Sequence, residues 1–335
     1  MNREYFLLRL IKGLMSIARL MIILCFCIVF FQNCQERAEG LSEAGLAVID
    51  IESSFLNRGE IELSSLGVEE VEYVRLETIE ESLIGAYSRT YVDKDYIYSV
   101  AFRQIKLFNR LDGKFIRELG HYGQDPEGYT NTLPYTRMSD KGEILVRRGN
   151  DIYGLDSVNA FVKRFTPAEG VSTFAEIDDS VLVGFRSNYD CAQEKRVSIF
   201  DLNGEELNFF PNYQECDNNL ELYTIYGSEG MFYKSLNRVF LKETFNDTLF
   251  QVDAKNMEPL AVFNLGRFGH SYEMKNFFTE EERFNHAIVG DISYMDGKIL
   301  FSLYLQKRTF HGVYDSKLNT TMISQVNRDK KVNGF

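Results

Sequence analysis

The histidines are few and scattered. His121, His270, His286 and His311 are the only four in 335 residues, and no two of them lie three or four positions apart. Histidines that share one helix face as metal ligands need that spacing, and the H-E-x-x-H pattern of zinc proteases is missing. The chain also has no G-x-S-x-G nucleophile motif and no glycine-rich phosphate loop. We therefore assign no catalytic and no metal-binding residue.

Adjacent acidic residues are the next candidates for acid–base chemistry. They occur as Glu69–Glu70, Glu80–Glu81 and Asp178–Asp179. Neighbouring side chains in a strand point to opposite faces, so such pairs do not converge on one substrate atom. We interpret them as solvated surface.

Two similar segments offer a binding site instead of a catalytic one. Leu119–Gln124 and Leu265–His270 share a Leu-Gly-x-aromatic-Gly pattern. Aromatic rings with polar tips suit a flat polar ligand such as a glycan. The candidate ligand-binding residues in and beside these segments are His121, Tyr122, Gln124, Asp125, Arg267, His270 and Tyr272. The alternative is that the glycines only turn the chain and the aromatic residues cap the elements beside them.

Short alternating strands must position these segments. Runs with a period of two include Glu72–Glu77, Tyr96–Val100, Ile105–Phe108, Val197–Phe200 and Ile299–Tyr304. Turn residues separate them every 8–12 positions. Strands of this length and spacing predict an all-β sandwich, barrel or propeller.

A repeat favours the propeller. Phe108 precedes an Asp-Gly turn, Phe200 precedes an Asn-Gly turn, and weaker copies begin at Phe165, Val252 and Tyr314. Asp-Gly and Asn-Gly supply the positive φ that tight hairpins need. The mean spacing of these five anchors is about 52 residues, which is typical of a four-stranded propeller blade. In such a ring the two Leu-Gly segments would each lead from the outermost strand of one blade to the innermost strand of the next.

One helix is expected among the strands. Thr279 and Glu282 have the spacing of a capping box, which predicts a short helix to about His286 between two blades.

The N-terminus has the features of an export signal. Four basic residues and one acidic residue in 1–33 accompany the apolar run Leu20–Phe31, which is shorter than a membrane span needs. Cys34 follows at once and resembles the lipidated cysteine of bacterial lipoproteins, and residues 34–47 form a polar tether. The alternatives are a plain secretory signal and an uncleaved anchor. We expect an exported protein that acyl chains hold on the outer membrane, on its periplasmic or its surface side.

The charge of the chain depends on this signal. The whole sequence carries 37 basic and 49 acidic residues, a net charge of −12. Without residues 1–33 the net charge becomes −15. Nucleic-acid binding requires clustered Lys and Arg, so this composition argues against it.

Two cysteines remain in the body of the protein. Cys191 and Cys216 could form one disulfide in an oxidising compartment, or they could be two separate thiols.

The body resembles a known family. The segments Val71–Thr78, Ser82–Gly85, Gly120–Tyr129 and Phe245–Phe250 look like the six-bladed β-propeller lipoproteins of Bacteroides and relatives, which are akin to NHL-repeat propellers. The resemblance implies a six-bladed propeller over residues 48–335. Because the sequence ends soon after the fifth repeat, we expect the last blade to be incomplete. Strands at Val48–Ile51, Ile61–Leu63 and Glu72–Leu76 would supply part of it.

The resulting functional hypothesis is a lipid-anchored propeller that binds a glycan, a peptide or an outer-membrane partner without catalysis and without a cofactor. The alternative is a metal-dependent, lactonase-like hydrolase with a divalent cation in the central channel. The two hypotheses differ in whether carboxylates cluster in that channel.

Overall fold

The computed structural model describes residues 46–85, 88–126, 128–130, 136–189, 191–214, 229–235, 237–272 and 284–325. Val48–Phe335 forms a compact unit. The export signal, Cys34, Cys216 and the capping box at Thr279–Glu282 lie outside the described residues. Phe284 and Asn285, near the end of the expected helix, are helical.

The secondary structure is almost entirely β. One helix, α1 (Ile51–Leu56), and short 3₁₀ turns at Leu63–Leu66, Glu80–Ser82 and Gly266–Phe268 interrupt the strands. The strands in the described ranges are β1 (Ala47–Asp50), β2 (Arg89–Val92), β3 (Tyr96–Ala101), β4 (Gln104–Asn109), β5 (Phe115–Glu118), β6 (His121–Tyr122), β7 (Gly128–Tyr129), β8 (Arg137–Met138), β9 (Ile144–Arg148), β10 (Asp151–Leu155), β11 (Phe161–Phe165), β12 (Thr173–Glu176), β13 (Val181–Phe185), β14 (Lys195–Asp201), β15 (Glu206–Pro211), β16 (Gly230–Ser235), β17 (Arg238–Glu243), β18 (Asn246–Val252), β19 (Met257–Asn264), β20 (Ile288–Met295), β21 (Lys298–Leu305), β22 (Arg308–Asp315) and β23 (Thr320–Ser324).

Four consecutive strands form each antiparallel sheet. The sheets are β2–β5, β8–β11, β12–β15, β16–β19 and β20–β23, which we call blades 1 to 5. This is a propeller-like arrangement of four-stranded blades, as the strand pattern predicts. Five blades form in the described residues, one fewer than the six that the family resemblance implies.

The blades are held together by the faces they share. Ile105 and Leu107 of blade 1 pack with Ile144 and Val146 of blade 2, and all four are almost inaccessible to solvent. Similar cores join blade 2 to blade 3 and blade 3 to blade 4. Where both faces of a strand are covered, the strand is buried as a continuous run rather than at alternate positions. The burial of all the residues from Ile97 to Ala101 in β3 illustrates this pattern.

Asp and Asn side chains stabilise the hairpin turns of the repeat. In every blade the third strand ends at, or is followed directly by, an Asp or Asn whose side-chain oxygen accepts hydrogen bonds from main-chain N–H groups two to four residues later. These residues are Asn109, Asp156, Asp201, Asp253 and Asp315. Such Asx turns reverse the chain into the outermost strand.

One of the five repeat anchors was placed wrongly. Phe165 lies at the end of β11, the outermost strand of blade 2, rather than at the end of a third strand. The equivalent anchor is Leu155, followed by Asp156. The turn after Asp156 has Asn159 at a φ of 70° in place of the expected glycine, so it lacks the Asp-Gly or Asn-Gly pair that marks the turns after Phe108 and Phe200.

The expected partial sixth blade is absent from the segment that was to supply it. β1 instead lies beside β19 and gives blade 4 a fifth strand at its outer edge. Ile61–Leu63 and Glu72–Leu76 form no strand. The segment instead follows the rim, because Gly59 N–H donates to the carbonyl of Ile323 in blade 5 (3.0 Å). Farther along the segment, Glu77 N–H donates to the carbonyl of Gly113 in blade 1 (2.9 Å).

Candidate functional site

The innermost strands of all five blades surround one cavity. Its volume is about 640 Å³, within the range of small-molecule sites. The lining comes from β2, β8, β12, β16 and β20, with Thr136 just before β8. It consists of Arg89, Thr90, Tyr91, Thr136, Arg137, Met138, Glu176, Met231, Phe232, Tyr233, Lys234, Gly290, Asp291 and Ile292. We call this cavity the channel.

Arg137 is the most unusual side chain in the channel. Its guanidinium carbon lies 5.1 Å from the centre of the Phe174 ring, an arrangement that permits a cation–π interaction. Its Nε atom is shielded from solvent and has no hydrogen-bond acceptor among the described residues. Burial lowers the pKa of Arg137 to about 10, so the side chain remains charged at neutral pH.

The neighbours of Arg137 do not neutralise it directly. The hydroxyl of Thr136, also buried, has no partner in the part of the chain that the structure describes. Tyr91 donates its hydroxyl hydrogen to the main-chain carbonyl of Thr136 (2.7 Å), which fixes the tyrosine ring at the channel wall. Arg89, also in β2, is exposed to the channel.

Two carboxylates face the same space from other blades. Burial, together with the nearby charge of Asp140, raises the pKa of Glu176. Lys234 hydrogen-bonds to the carboxylate of Asp140 and to the main-chain carbonyl of Glu176. The Lys234 charge is therefore already paired, unlike that of Arg137.

Asp291 occupies an irregular point of the fifth innermost strand. The β20–β21 register shifts between Gly290 and Ser293, and Asp291 has a φ of 45°. Such a bulge re-aims a side chain, and a non-glycine residue at positive φ is strained. Ser302 Oγ donates to Asp291 Oδ2 (2.9 Å) and holds the carboxylate. Burial raises the pKa of the adjacent Tyr233 to about 12, with Asp291 as the next contributor, so its phenol stays protonated.

The first predicted loop follows blade 1. Leu119 is fully buried and Gly120 has a φ of 55°, so this leucine anchors the turn and this glycine makes it. His121 Nε2 and Asp125 Oδ2 are 2.6 Å apart. The guanidinium of Arg103 lies 4.6 Å from the centre of the Tyr122 ring. Gln124 is exposed.

The second predicted loop follows blade 4 and begins in the same way, with Leu265 buried and Gly266 at a φ of 52°. The strand order confirms that both segments lead from an outermost strand towards the next blade. Arg267 turns to the rim, where its Nε lies 3.6 Å from Glu52 in α1.

His270 and Tyr272 are half-buried against neighbouring side chains rather than fully exposed. His270 stacks against His286, with ring centres 5.4 Å apart, and against Phe245 at 4.8 Å. The Tyr272 hydroxyl accepts a hydrogen bond from Asn188 Nδ2 (2.9 Å). The seven predicted residues therefore occupy separate places: the blade 1–2 loop, the rim of blade 4 and the half-buried region beside blades 3 and 4.

Tyr272 belongs to a second polar region, which we call the junction: Phe185, Arg186, Asn188, Arg196, Asn212, Gln214, Glu229, Glu243, Phe245 and Tyr272. Arg196 forms a two-pronged ion pair with Glu243 across the interface of blades 3 and 4, and both residues are buried. Asn188 N–H donates to Glu229 Oε2 (2.6 Å). The adjacent Arg186 pairs with Glu206 (3.1 Å).

The channel residues are absent from the sequence-based site prediction. Their signal in the sequence is a charged or tyrosine residue in the first strand of each blade, as at Arg89, Arg137 and Tyr233. It is readable only when the blade register is known, and the misplaced anchor in blade 2 obscured that register.

Disulfide and metal sites are the remaining features that the sequence raises. Cys191 is disulfide-bonded, which agrees with the disulfide alternative. Its pairing with Cys216 stays a prediction. Within the described ranges, no three His, Cys, Asp or Glu side chains cluster as metal ligands would. None of the helices described there has the length and apolar character that crossing a membrane requires.

Comparison with known proteins supports the fold. The family described as "Domain of unknown function (DUF4934)" matches residues 46–335. A crystal structure of a "Putative exported protein" from Bacteroides fragilis NCTC 9343 superposes with a TM-score of 0.60 at 15% identity, covering 84% of this chain and 80% of that one. A DUF4221 family member from Bacteroides vulgatus ATCC 8482 gives 0.46 at 13% identity, covering 74% and 83%. No curated protein matches the chain.

Proposed function

The chain belongs to the DUF4934 family, and from that premise we propose that it is an exported, lipid-anchored β-propeller that binds a ligand without catalysing its conversion. One observation carries the binding role. The channel combines an adequate volume with arginine and tyrosine side chains on several blades, and the half-buried Arg137 has no ion-pair partner among the described residues. A guanidinium that lines a cavity without a counter-charge from the described chain can pair with an anionic group of a ligand.

The loop residues remain part of this proposal. His121, Tyr122, Gln124 and Asp125 form an exposed polar group with one aromatic ring, which suits contacts at the rim of a larger ligand. Arg267, His270 and Tyr272 already have partners within the protein, so we give them a supporting role. Glycans, peptides and outer-membrane partners are the ligand classes considered.

Export is supported by the sequence and by a protein of similar fold, and lipid anchoring is supported by the sequence. The apolar run Leu20–Phe31 followed by Cys34 has the order of a lipoprotein signal. The Bacteroides fragilis protein of the same fold is itself described as exported. A six-bladed, NHL-like ring also stays part of the proposal.

Labelling with a radioactive fatty acid tests the anchor. The full-length chain produced in a Bacteroides host should incorporate palmitate and fractionate with the outer membrane. Cys34→Ala should abolish the label, whereas Cys27→Ala should keep it. Equal labelling of the Cys34→Ala variant and the wild type would show that Cys34 is not the anchor.

A paired measurement tests the binding role. The purified full chain should retain a ligand from arrays of glycans and peptides and should release no product from a panel of lactones, esters and glycosides. Turnover of any of these substrates, lost in a channel variant such as Asp291→Asn, would replace binding by catalysis.

The metal-dependent alternative does not fit the channel residues. A divalent cation of the calcium type needs six or more oxygen ligands. The carboxylates in the described channel lining are Glu176 and Asp291, and Arg89, Arg137 and Lys234 line the same space. Lys234 is paired with Asp140, and Arg89 and Arg137 balance the two carboxylates, so the lining has no surplus of negative charge that would attract a divalent cation. Elemental analysis of the purified protein should find no stoichiometric calcium, magnesium or zinc, and one equivalent of any of them would restore the hydrolase hypothesis.

A further inference from the structure

We propose that the channel binds a sugar that carries one carboxylate, with Arg137 and Arg89 as the groups that recognise it. The inference rests on the proposed binding function and specifies its ligand. It starts from the two arginines, which enter the same cavity from neighbouring blades 1 and 2. Among the described residues, neither arginine has a carboxylate within ion-pairing distance or a hydrogen-bond acceptor for its guanidinium.

The half-buried Arg137 differs from the two buried arginines, Arg186 and Arg196, in having no ion-pair partner among the described residues. Arg186 pairs with Glu206 and Arg196 pairs with Glu243. Arg137 is half-buried, and its shielded Nε has lost water without gaining an acceptor among the described residues, which is costly. The Phe174 ring lies 5.1 Å from the guanidinium carbon and limits the positions open to the Arg137 side chain, which lines the channel.

The charge of the channel selects the kind of anion. Lys234 is neutralised by Asp140, which leaves Arg89 and Arg137 against Glu176 and Asp291. A phosphate group carries nearly two charges at neutral pH, and the two carboxylates would repel it. A carboxylate carries one charge and matches the guanidinium in a planar, bidentate geometry.

The rest of the lining suits hydroxyl groups. Glu176 and Asp291 are acceptors that a sugar hydroxyl can donate to, and the protonated Tyr233 phenol is both donor and acceptor. Tyr91 and Tyr233 also present ring surface on blades 1 and 4. A carboxylated sugar uses the arginines, the acids and the rings together, whereas a peptide carboxylate would leave the acids opposite a chain with few donors.

Calorimetry on the purified full chain at physiological ionic strength tests the inference. The probe is cellobiouronic acid, and its matched neutral control is cellobiose, which has a hydroxymethyl group in place of the carboxylate. We expect the acid to bind at least about 10-fold more tightly, as charged hydrogen bonds allow. Equal affinity for both sugars, or tighter binding of glucose 6-phosphate, would overturn the assignment of the anion. Binding of N-acetyl-triglycine in preference to the uronate would overturn the assignment of a sugar.

Substitutions of single arginines test how much each one contributes to binding of the acid. Arg137→Gln should weaken binding of the acid by about 10- to 100-fold and leave cellobiose unaffected. Arg137→Lys should recover only part of the loss, because a lysine keeps the charge but not the fork. Arg89→Gln should have a smaller effect, and Arg117→Gln, an exposed arginine in β5, should have none.

The thermal melting temperature of each variant shows whether it is folded. A ligand that binds the wild type and Arg137→Gln equally well would refute the channel assignment while leaving the binding function intact. Catalytic turnover of the ligand would refute the binding function itself.

Discussion

The channel and the junction contain the same residue types, but an arginine is paired with a carboxylate in the junction and is not so paired in the channel. In the junction, Arg196 lies against Glu243 with both prongs of its guanidinium paired. In the channel, Arg137 lies against the Phe174 ring with a buried Nε that has no acceptor in the described part of the protein. The charges of Arg196 and Glu243 therefore pair with each other and stabilise the contact between blades 3 and 4. The charge of Arg137 in the channel is available to a ligand.

Breaking the junction pair should have the largest effect. Glu243→Gln leaves the buried Arg196 without its counter-charge, and we expect the free energy of unfolding to fall by about 3–5 kcal/mol. Denaturant titration measures this loss. The double variant Arg196→Met, Glu243→Leu should lose less than the single variant, since no unpaired charge remains. A loss in Glu243→Gln below about 1 kcal/mol would mean that the two regions do not differ as described.

Acid should weaken the protein through a histidine beside the junction. Burial lowers the pKa of His270 to about 4, with the nearby His286 and Lys242 as further causes. Its unfolded value is near 6.5, so the unfolded state binds more protons between these two pH values. The free energy of unfolding should therefore fall as pH drops from 6.5 to 4, by at most about 1.4 kcal/mol per pH unit from this group.

The variant His270→Phe tests whether His270 causes this pH dependence. This variant should show a flatter dependence of the free energy of unfolding on pH between 6.5 and 4 than the wild type. His311→Gln, at an exposed histidine in β22, should leave the dependence unchanged. Parallel curves for His270→Phe and the wild type would contradict the shielding of the region beside Phe245.

Removing the unpaired channel charge should have the smallest effect, with the opposite sign. Arg137→Met takes away a half-buried cation that lacks an ion-pair partner in the described chain, at the cost of the contact with Phe174. We expect the free energy of unfolding to stay constant or to rise by up to about 1 kcal/mol. A loss of about 2 kcal/mol or more in denaturant titration would show that Arg137 supports the fold, as Arg196 does.

The sequence predicted the blade architecture because it is encoded locally. Asx turns at Asn109, Asp201, Asp253 and Asp315 depend on a side chain and the N–H groups a few residues later, so their residue types mark them. The turn at Asp156 was missed because Asn159 adopts the positive φ that a glycine usually supplies.

The candidate site was less predictable because it is not local. The channel collects one short strand from each of five blades, and residues such as Arg89 and Asp291 are about 200 positions apart in the chain. The role of β1 was unpredictable for the same reason, since its partner β19 belongs to a distant blade. The two Leu-Gly segments were recognised correctly as equivalent turns, but equivalence in the chain did not bring their side chains together.

The position of β1 has a consequence for the order of folding. β1 (Ala47–Asp50) lies beside β19 (Met257–Asn264), so the first strand of the described chain cannot pair until blade 4 has been synthesised. Contacts between such distant segments form slowly because a long loop must close first. Until β1 has paired, the outer edge of β19 has unpaired main-chain groups that another chain could bind. Docking of the N-terminal strand is thus expected among the last steps of folding, and it is the step that closes this edge.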